Sequence, residues 1–576
     1  MLPWLAPYRR TLALGGVALL FTNLFAALGP WILKAGIDSL ETPGGRPIHH
    51  FALALVVAAI ADGIFRFIMR KTIIAVSRHA EYDLRRVLYA HLQRLPLSFY
   101  DRYDVGDLLA RVTNDLNSVR MFLGPGLMYT VNTSLILTFS LALMIRISPS
   151  LSLYALAPMP LVTIAVVFVM RYVHRRATRV QEGFATLTTR VRESLTGIRV
   201  VKAFHRESSQ EAIFEASSND YLEANMSLAR VQRLFLPAMS LFAGCAIALV
   251  IWRGGLLVMR DAISLGDFVA FTGYLALLMW PMAALGWTVN LFQRGAASWE
   301  RIEQLLETEV EPLEEGPRQP TGNGLVEFDR VSLKRGERDV LSDVTVSIAP
   351  GTVVAIVGPT GSGKSTLLKL IARLLPPTSG VIRLDGVPLP EWNLPELRRA
   401  LSFVPQEAFL FSESIAKNIE LGRPGTEREE LLAAAELAAL TDEVDAFTDG
   451  LDSVVGERGV TLSGGQRQRA TLARALVRHP RVLVLDDAFS NMDTKTEERI
   501  LGRLPRQFHG TTVLLVSHRL STVRRADRIL YLEDGRIVED GTHDDLLRRA
   551  GRYTNFVRRQ RLLEELESTT DSGEAA

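Results

Sequence analysis

A glycine-rich segment that ends in lysine and serine carries the strongest chemical signal in the sequence. Gly358-Pro-Thr-Gly-Ser-Gly-Lys-Ser365 directly follows the β-branched run Val353–Val357 and precedes a helical pattern. In this order, backbone N–H groups and a helix N-terminus can surround phosphate oxygens. We predict that the segment binds the phosphates of a nucleotide through Gly358, Thr360, Gly361, Ser362, Gly363, Lys364, Ser365 and Thr366.

A metal ion is expected beside that loop. Lys364 would neutralise the β- and γ-phosphates, and the Ser365 hydroxyl would bind Mg²⁺. The apolar run Val482–Leu485 ends in Asp486, a carboxylate suited to hold Mg²⁺ through water. A nucleotide with at least three phosphates and Mg²⁺ are therefore expected to bind together.

Gln406 and His518 follow other strand-like runs and would face the same phosphates. Gln406 comes directly after Val404-Pro405, where its amide would contact Mg²⁺ and the attacking water. His518 comes two residues after the run that ends in Val516 and would contact the γ-phosphate. A lone histidine is usually structural, but ligands bind at the carboxyl edge of a parallel sheet, which favours the functional role.

The elements that must position these residues form an α/β domain. Beyond Gly324, short β-branched runs alternate with helical segments, which is the pattern of a largely parallel sheet. The acidic, Pro- and Gly-rich stretch Thr308–Gly324 indicates a linker. We therefore divide the chain into a membrane domain 1–307, a linker 308–324, a phosphate-loop ATPase domain 325–550 and a tail 551–576.

The membrane domain is predicted to be an all-α bundle with long cytoplasmic extensions. Several stretches lack Asp, Glu, Lys and Arg for long enough to cross about 30 Å of hydrocarbon at about 1.5 Å per residue. With a shorter one interrupted by Asp62, they predict six spans: Thr11–Leu33, Pro47–Phe65, Met121–Ile145, Ile147–Met170, Leu234–Trp252 and Phe268–Gln293.

Composition excludes several classes of protein. The chain has 576 residues, of which 48% are hydrophobic and 22% charged, and its net charge of +2 argues against a nucleic-acid partner. Its single cysteine excludes an intrachain disulfide framework. A multi-pass protein of the cell's inner (plasma) membrane, in contact with its lipids, is the expectation.

Basic residues predict the orientation in that membrane. Arg9 and Arg10 precede the first span, and the segments after the second and fourth spans are rich in arginine. The connections between spans on the other side of the membrane are short and contain few basic residues. Since basic loops stay on the cytoplasmic side, both termini are expected to be cytoplasmic.

Two cytoplasmic segments, 66–120 and 171–233, have helical periodicity, which predicts helices that continue beyond the bilayer. Breaks near Pro96–Tyr100 and Phe204–Glu207 predict a short element at each place, on which a cytoplasmic domain could push. Solvated loops are the alternative.

Asp62 is an acidic residue inside a predicted span. Placing an acid in the bilayer is costly, so such a residue is a candidate functional residue. Arg66 lies four residues later on the same helical face. We favour a structural ion pair over a proton or substrate site.

The region between Gln406 and Asp486 resembles a known family. Leu462-Ser-Gly-Gly-Gln466 is similar to the signature motif of ATP-binding cassette (ABC) proteins, and Val455–Gly459 resembles a segment that exporters place against the membrane domain. The phosphate loop, Gln406, Asp486, Ser490–Asp493 and His518 appear in that family's order. The resemblance covers essentially the whole chain, as in type IV exporter half-transporters.

The resemblance implies a dimer in which two cassettes enclose two ATP molecules. Each ATP would lie between one chain's phosphate loop and the other chain's signature, so Ser463, Gly464, Gly465 and Gln466 would serve the partner's ATP. The breaks near Phe99 and Phe204 would be coupling helices.

The implied function is ATP-driven export of amphipathic drugs, lipids or peptides. An importer is disfavoured by the fused order of domains, and six spans exclude a soluble DNA-repair ATPase. An ATP-gated channel or regulator stays open.

Asp487 departs from the family, which places the glutamate that acts as general base after the metal-binding aspartate. A carboxylate one methylene shorter lies about 1.5 Å further back, and a misplacement of about 1 Å costs on the order of 10²-fold. We expect slow hydrolysis at this chain's own loop and a second, different half-transporter that carries the catalytic glutamate. A homodimer with Asp487 as a weaker base is the alternative.

Arg335 stands where the family usually stacks an aromatic ring on adenine. Its planar guanidinium can stack on a purine, although a solvated surface charge is an equal alternative. In the tail, Arg552–Glu567 predicts a charged helix and Ser568–Ala576 a disordered acidic end. Phe556, Leu563 and Leu566 would form an apolar seam, either for the partner's tail or for this chain's own cassette.

Overall fold

In this computed structural model the described residues are 1–157, 159–311, 322–456, 462–507 and 510–573. The description excludes the side chains of residues 2, 159–171, 174, 234–236, 238–240, 242–243, 279–285, 504–507 and 563–573. The chain divides into two compact units, the first comprising 1–93 and 105–308 and the second comprising 94–104 and 309–576.

The first unit is entirely helical in its described part, because long apolar runs satisfy their backbone groups within each helix. Its helices are α1 Arg9–Glu41, α2 Ile48–Leu92, α4 Val105–Ile147, α5 Pro149–Leu156, α6 Met159–Thr196, α7 Ile198–Ala203, α8 Glu207–Met259 and α9 Leu265–Leu306, after a 3₁₀ turn Leu2–Tyr8. The short helix α3 Leu97–Tyr100 belongs to the second unit. Short helices therefore lie at or beside both predicted breaks.

Three of the described helices are long and apolar enough to cross a membrane, and they carry the first three predicted spans. The other three predicted spans lie on α5–α6, α8 and α9, in which part of the side chains is outside the description. Shorter apolar stretches are found at Gly244–Met259 and Leu265–Leu278. This architecture agrees with the predicted helical membrane domain.

Helix packing in the first unit depends on small residues and on buried polar groups. Gly15 of α1 faces Thr72 and Ile73 of α2 so closely that an added Cβ would lie 2.7 Å from the Thr72 hydroxyl oxygen. The fully buried Tyr274 of α9 donates its hydroxyl proton to the Ala27 carbonyl at 3.0 Å. The predicted ion pair is confirmed, since Arg66 Nη2 lies 2.7 Å from Asp62 Oδ2.

The second unit contains two sheets and the helices that cover them. The strands are β1 Val326–Arg335, β2 Arg338–Ile348, β3 Val353–Val357, β4 Ser379–Leu384, β5 Val387–Pro388, β6 Leu401–Val404, β7 Val482–Asp486, β8 Thr512–Val516, β9 Arg528–Glu533 and β10 Arg536–Gly541. The helices are α10 Lys364–Ile371, α11 Leu394–Ala400, α12 Ile415–Glu420, α13 Arg428–Leu437, α14 Thr441–Val444, α15 Gly464–Leu476, α16 Thr494–Gln507, α17 Leu520–Val523, α18 His543–Arg548 and α19 Arg552–Gly573.

Strand order explains how distant motifs come together. The larger sheet has the order β10-β9-β3-β8-β7-β6, and every pair from β9 to β6 is parallel. The central strands are almost completely buried, as their continuous apolar runs predict. Because parallel strands end at one edge, the residues that follow β3, β6, β7 and β8 lie on the same side of the sheet.

Two features of the second unit differ from the sequence-based expectation. Residues 94–104, which the sequence assigned to the membrane domain, group with the cassette: Glu311 N donates to the Arg94 carbonyl at 2.9 Å. Helix α19 continues to Gly573, past the predicted end at Glu567, because no proline or glycine interrupts the chain between Arg552 and Gly573.

The start of that last helix packs on its own cassette. Tyr553 and Val557 are buried in the cassette core, and Phe556 packs against the same cluster. This arrangement favours packing of the apolar seam on the chain's own cassette over pairing with a partner's tail. The side chains of Leu563 and Leu566 lie outside the described part of the structure.

Candidate nucleotide-binding site

The ends of the parallel strands enclose a cavity of about 470 Å³. The phosphate loop and the residues after β6, β7 and β8 meet there, which brings together most of the predicted site. Its lining comprises Arg335, Arg338, Val340, Thr360, Gly361, Gly363, Lys364, Ser365, Thr366, Gln406, Asp486, Asp487, Val516 and His518. Gly358 and Ser362 belong to the loop but are not among the residues that line the cavity.

Glycines in the loop are required by close approach as well as by backbone conformation. Gly358 has φ +149°, and a Cβ there would lie 2.0 Å from the Leu532 carbonyl oxygen. Gly363 has φ +102°, and its Cβ would lie 2.9 Å from the Val340 carbonyl oxygen. Only glycine fits both constraints, so the loop can wrap tightly at the N-terminus of α10.

Lys364 is held inside the loop that it would complete. Its Nζ donates to the carbonyls of Gly358 at 2.9 Å and Pro359 at 2.8 Å. Burial lowers the pKa of the Lys364 ammonium, and the nearby carboxylates of Asp486 and Asp487 oppose that shift. Phosphate oxygens would offer this ammonium a stronger, charged acceptor than the two carbonyls.

The donor set fits Mg²⁺ and phosphate. Ser365 Oγ donates to Asp486 Oδ1 at 2.7 Å, so the two predicted metal ligands are already adjacent. Burial raises the pKa of Asp486, while the hydrogen bond from Ser365 lowers it. Ser362 Oγ is buried without a hydrogen-bond partner in the described structure. Hard oxygen donors of this kind suit Mg²⁺.

The backbone of Asp487 is fixed at the end of β7. Its N–H donates to the Val516 carbonyl at 3.1 Å, and its own carbonyl accepts from Ser490 N at 3.3 Å. Its φ of +50° lies in the left-handed region, which aspartate tolerates better than most residues. These contacts connect the backbone of Asp487 to the end of β8 and to the loop that follows β7.

His518 and Gln406 line the cavity as predicted from their places after β8 and β6. Partial desolvation, and then the positive charge of Lys364, lower the pKa of His518, which Asp487 raises. The imidazole is therefore neutral at physiological pH and can donate one N–H to a phosphate oxygen.

Arg335 reaches the cavity but already has a partner. Its guanidinium pairs with the Asp101 carboxylate, which lies in the 94–104 segment of the same unit. Arg338 lines the cavity as well, and sequence reasoning missed it. Its proximity to Arg335 in the sequence could have indicated it, because the two residues face each other at the turn of the antiparallel hairpin of β1 and β2.

The signature residues do not line this cavity. Ser463 and Gln466 form a reciprocal cap at the start of α15: Ser463 Oγ accepts from Gln466 N at 3.2 Å, and Gln466 Oε1 accepts from Ser463 N at 2.8 Å. A Cβ on Gly465 would lie 2.8 Å from the Asn491 carbonyl oxygen, so that glycine allows close contact with the loop after Asp487. None of Ser463, Gly464, Gly465 and Gln466 lines the cavity.

Sequence reasoning also missed the residues that connect these loops. Gln468 Nε2 donates to Ser490 Oγ at 2.9 Å, and Gln468 Oε1 accepts from Asn491 N at 3.0 Å. Arg519 Nη1 donates to the buried Glu497 at 2.6 Å. Of the predicted exporter segment Val455–Gly459, residues 457–459 lie outside the described residues.

Comparisons with known proteins agree with this arrangement. Residues 12–282 match the family model of the ABC transporter transmembrane region, and residues 341–490 match the ABC transporter model.

Three curated relatives match almost the entire chain. The multidrug resistance-like ATP-binding protein MdlA of Escherichia coli (strain K12) is 36% identical over 572 residues, which cover 98% of this chain and 96% of the relative. The probable multidrug resistance ABC transporter ATP-binding/permease protein YheI of Bacillus subtilis (strain 168) is 34% identical, with coverage of 96% and 95%. The ATP-dependent lipid A-core flippase of Alkalilimnicola ehrlichii is 33% identical, with coverage of 97% and 95%.

A solved structure of a bacterial Atm1-family ABC exporter with ATP bound has the same fold. It superposes with a TM-score of 0.80 at 29% sequence identity and covers 96% of this chain and 99% of its own.

Proposed function

The chain belongs to the ABC transporter family, and on that premise we propose that it is one half of a heterodimeric exporter whose own ATP site hydrolyses slowly. As a member with both a membrane and an ATP-binding domain, it is an ATPase-coupled exporter of the multidrug or lipid type in the inner membrane. The partner would be a different half-transporter that carries the catalytic glutamate.

The position of Asp487 is the observation that carries the proposal. Two backbone hydrogen bonds hold this residue at the end of β7, and one methylene fewer than glutamate leaves its carboxylate about 1.5 Å short. General bases contribute about 10²–10⁴-fold when they are within reach of water. Hydrolysis at this site would lose much of that factor, while the residues that hold nucleotide are intact.

In the proposed mechanism, this chain's loop holds ATP that turns over slowly. Lys364 neutralises phosphate charge, and His518 donates a hydrogen bond to the terminal phosphate. Mg²⁺, held by Ser365, Asp486 and Gln406, would neutralise the β- and γ-phosphates. Arg335 would stack on adenine only after leaving Asp101.

The signature of this chain would complete the partner's site. Ser463 and Gly465 would contact ATP that the partner's phosphate loop binds, where a glutamate activates water. Closure of the two cassettes would move the long membrane helices through the coupling helices α3 and α7, and hydrolysis at the partner's site would reset them.

The proposed cargo is an amphipathic drug, lipid or peptide. The intact signature and the shortened base resemble the heterodimeric multidrug and peptide exporter TmrAB, with this chain similar to its TmrB half. Both termini would lie in the cytoplasm, where the cassettes meet ATP.

Purification from native membranes tests the proposal. We expect a second, distinct chain to accompany this one, with glutamate at the position that corresponds to Asp487. This chain alone should hydrolyse ATP slowly, and Asp487→Asn should leave that rate unchanged. Fast turnover of the isolated chain that Asp487→Asn abolishes would instead support the homodimer, and single-channel conductance in planar bilayers would support an ATP-gated channel.

A further inference from the structure

The membrane unit contains a second cavity, of about 330 Å³, between α1, α2, α4 and α9. One part of its lining is polar, and the part formed by Met69, Met128, Ile136 and Leu277 is apolar. None of the lining residues is an acid. The size is within the range of small-molecule sites, which begin at about 300 Å³.

Polar side chains of α1 and α4 are part of this lining. Asn23, which is 2% exposed, donates from Nδ2 to Leu19 O at 2.8 Å and to Asn132 Oδ1 at 3.1 Å. Among the described residues, nothing accepts from Asn132 Nδ2. The Thr22 hydroxyl is buried and has no hydrogen-bond partner in the described structure. A buried polar group without a partner is costly, so the Thr22 hydroxyl points to a ligand.

Two arginines give the same lining a net positive charge. Arg66 pairs with Asp62 at 2.7 Å, which neutralises one of them. Arg70 lies one helical turn further along α2, and none of the described carboxylates pairs with it. Arg70 therefore leaves the lining with one positive charge that lacks a counter-ion, and an anionic ligand would supply that counter-ion.

We propose that this cavity binds the anionic head and the first carbons of an amphiphile that carries a phosphate or carboxylate group. Arg70, Arg66 and the Asn132 amide would donate to the head, and the apolar side chains would contact the alkyl chain. The inference rests on the exporter function proposed above and narrows its substrate class to amphipathic anions.

A binding measurement on the complex purified from native membranes, in phosphatidylcholine nanodiscs and without ATP, tests this site. The probes are dodecyl phosphate, dodecyltrimethylammonium and inorganic phosphate, with dissociation constants measured by native mass spectrometry. Arg70→Gln should weaken dodecyl phosphate binding by about ten- to hundredfold, the usual contribution of a hydrogen bond to a charged group, and Arg70→Lys should recover part of the loss.

Lys71→Gln is the matched control, because it removes the same charge from the next position of α2, outside the cavity lining. It should leave dodecyl phosphate binding unchanged. The proposal is overturned if Arg70→Gln and Lys71→Gln have equal effects, or if the cationic probe binds as tightly as dodecyl phosphate. Displacement of dodecyl phosphate by inorganic phosphate at equal concentration would show a small-anion site and would also overturn it.

Failure here is distinguishable from failure of the proposed function. Binding is measured without nucleotide, whereas the function proposed above is tested by hydrolysis at the cassette.

Discussion

Replacement of Asp487 by glutamate would add one methylene to the proposed general base at the site where this chain is proposed to hold ATP. The Val516 carbonyl and Ser490 N fix the backbone of residue 487, so the added carbon extends the carboxylate into the cavity instead of shifting the chain. The left-handed φ of +50° costs a non-glycine residue about 1–2 kcal/mol. That strain is the same in the ground state and in the transition state. It therefore lowers the free energy of unfolding but leaves the activation free energy of hydrolysis unchanged.

The expected gain follows from the displacement. The added methylene moves the carboxylate by about 1.5 Å. A misplacement of a catalytic group by only about 1 Å already lowers the reaction rate on the order of 10²-fold. We therefore expect Asp487→Glu to accelerate hydrolysis at this chain's own site by about a hundredfold, or about 2.7 kcal/mol of activation free energy. The assay is single-turnover hydrolysis in the complete complex, after the partner's catalytic glutamate has been replaced by glutamine.

Two matched variants interpret the result. Asp487→Asn keeps the short side chain without a base, and it should leave the slow rate unchanged. Asp486→Glu adds the same methylene to the neighbouring carboxylate, which contacts Ser365, and it should slow hydrolysis. An own-site rate that Asp487→Glu leaves unchanged, with ATP still bound, would refute the argument from reach.

Three further outcomes follow from the contacts of the cassette. Ser365→Ala should raise the Mg²⁺ concentration for half-maximal ATP binding by about tenfold and leave binding in EDTA unchanged, as fluorescent-nucleotide titration would show. Arg519→Met should lower the free energy of unfolding by about 3 kcal/mol at pH 8, because it leaves the buried Glu497 carboxylate without its cation. This value is at the low end of the range for broken buried ion pairs, since the Arg519 side chain is 32% exposed. Burial raises the pKa of Glu497, so protonation of its carboxyl should shrink this loss as the pH falls towards 5, in denaturant titrations at both pH values. Gly465→Ala, whose Cβ would meet the Asn491 carbonyl, should slow ATPase activity of the complex while own-site nucleotide affinity, measured by filter binding, stays constant.

The phosphate-binding part of the site could be predicted because its signal is local. The loop, Lys364 and Ser365 are contiguous, and the strand before them is a buried apolar run. Asp486 and His518 could be added because residues after parallel strands share one edge of a sheet. The strand order that puts β8 between β3 and β7 supplies the rest of the geometry.

Other features of the site depend on contacts between distant residues, so sequence patterns do not reveal them. Asp101 pairs with Arg335 although 234 residues separate them in the sequence. The segment 94–104, which contains Asp101, groups with the cassette and not with the membrane domain to which the sequence assigned it. In the membrane unit, Asn23 meets Asn132 across 109 residues. Hydropathy predicts that these helices span a membrane, but it does not predict which faces meet.

In the function proposed above, nucleotide binding and hydrolysis depend on separate groups of this cassette. Binding uses the loop backbone, the Lys364 ammonium and the Ser365 hydroxyl, all of which are in place around the cavity. Hydrolysis would add one requirement, a carboxylate within reach of water, which in our proposal the shorter Asp487 does not meet. A change confined to that carboxylate alters the rate of the chemical step without weakening the ground state. Such a site would stay filled with ATP through many turnovers of its partner, so it would hold the cassettes together while the partner's site performs the cycle.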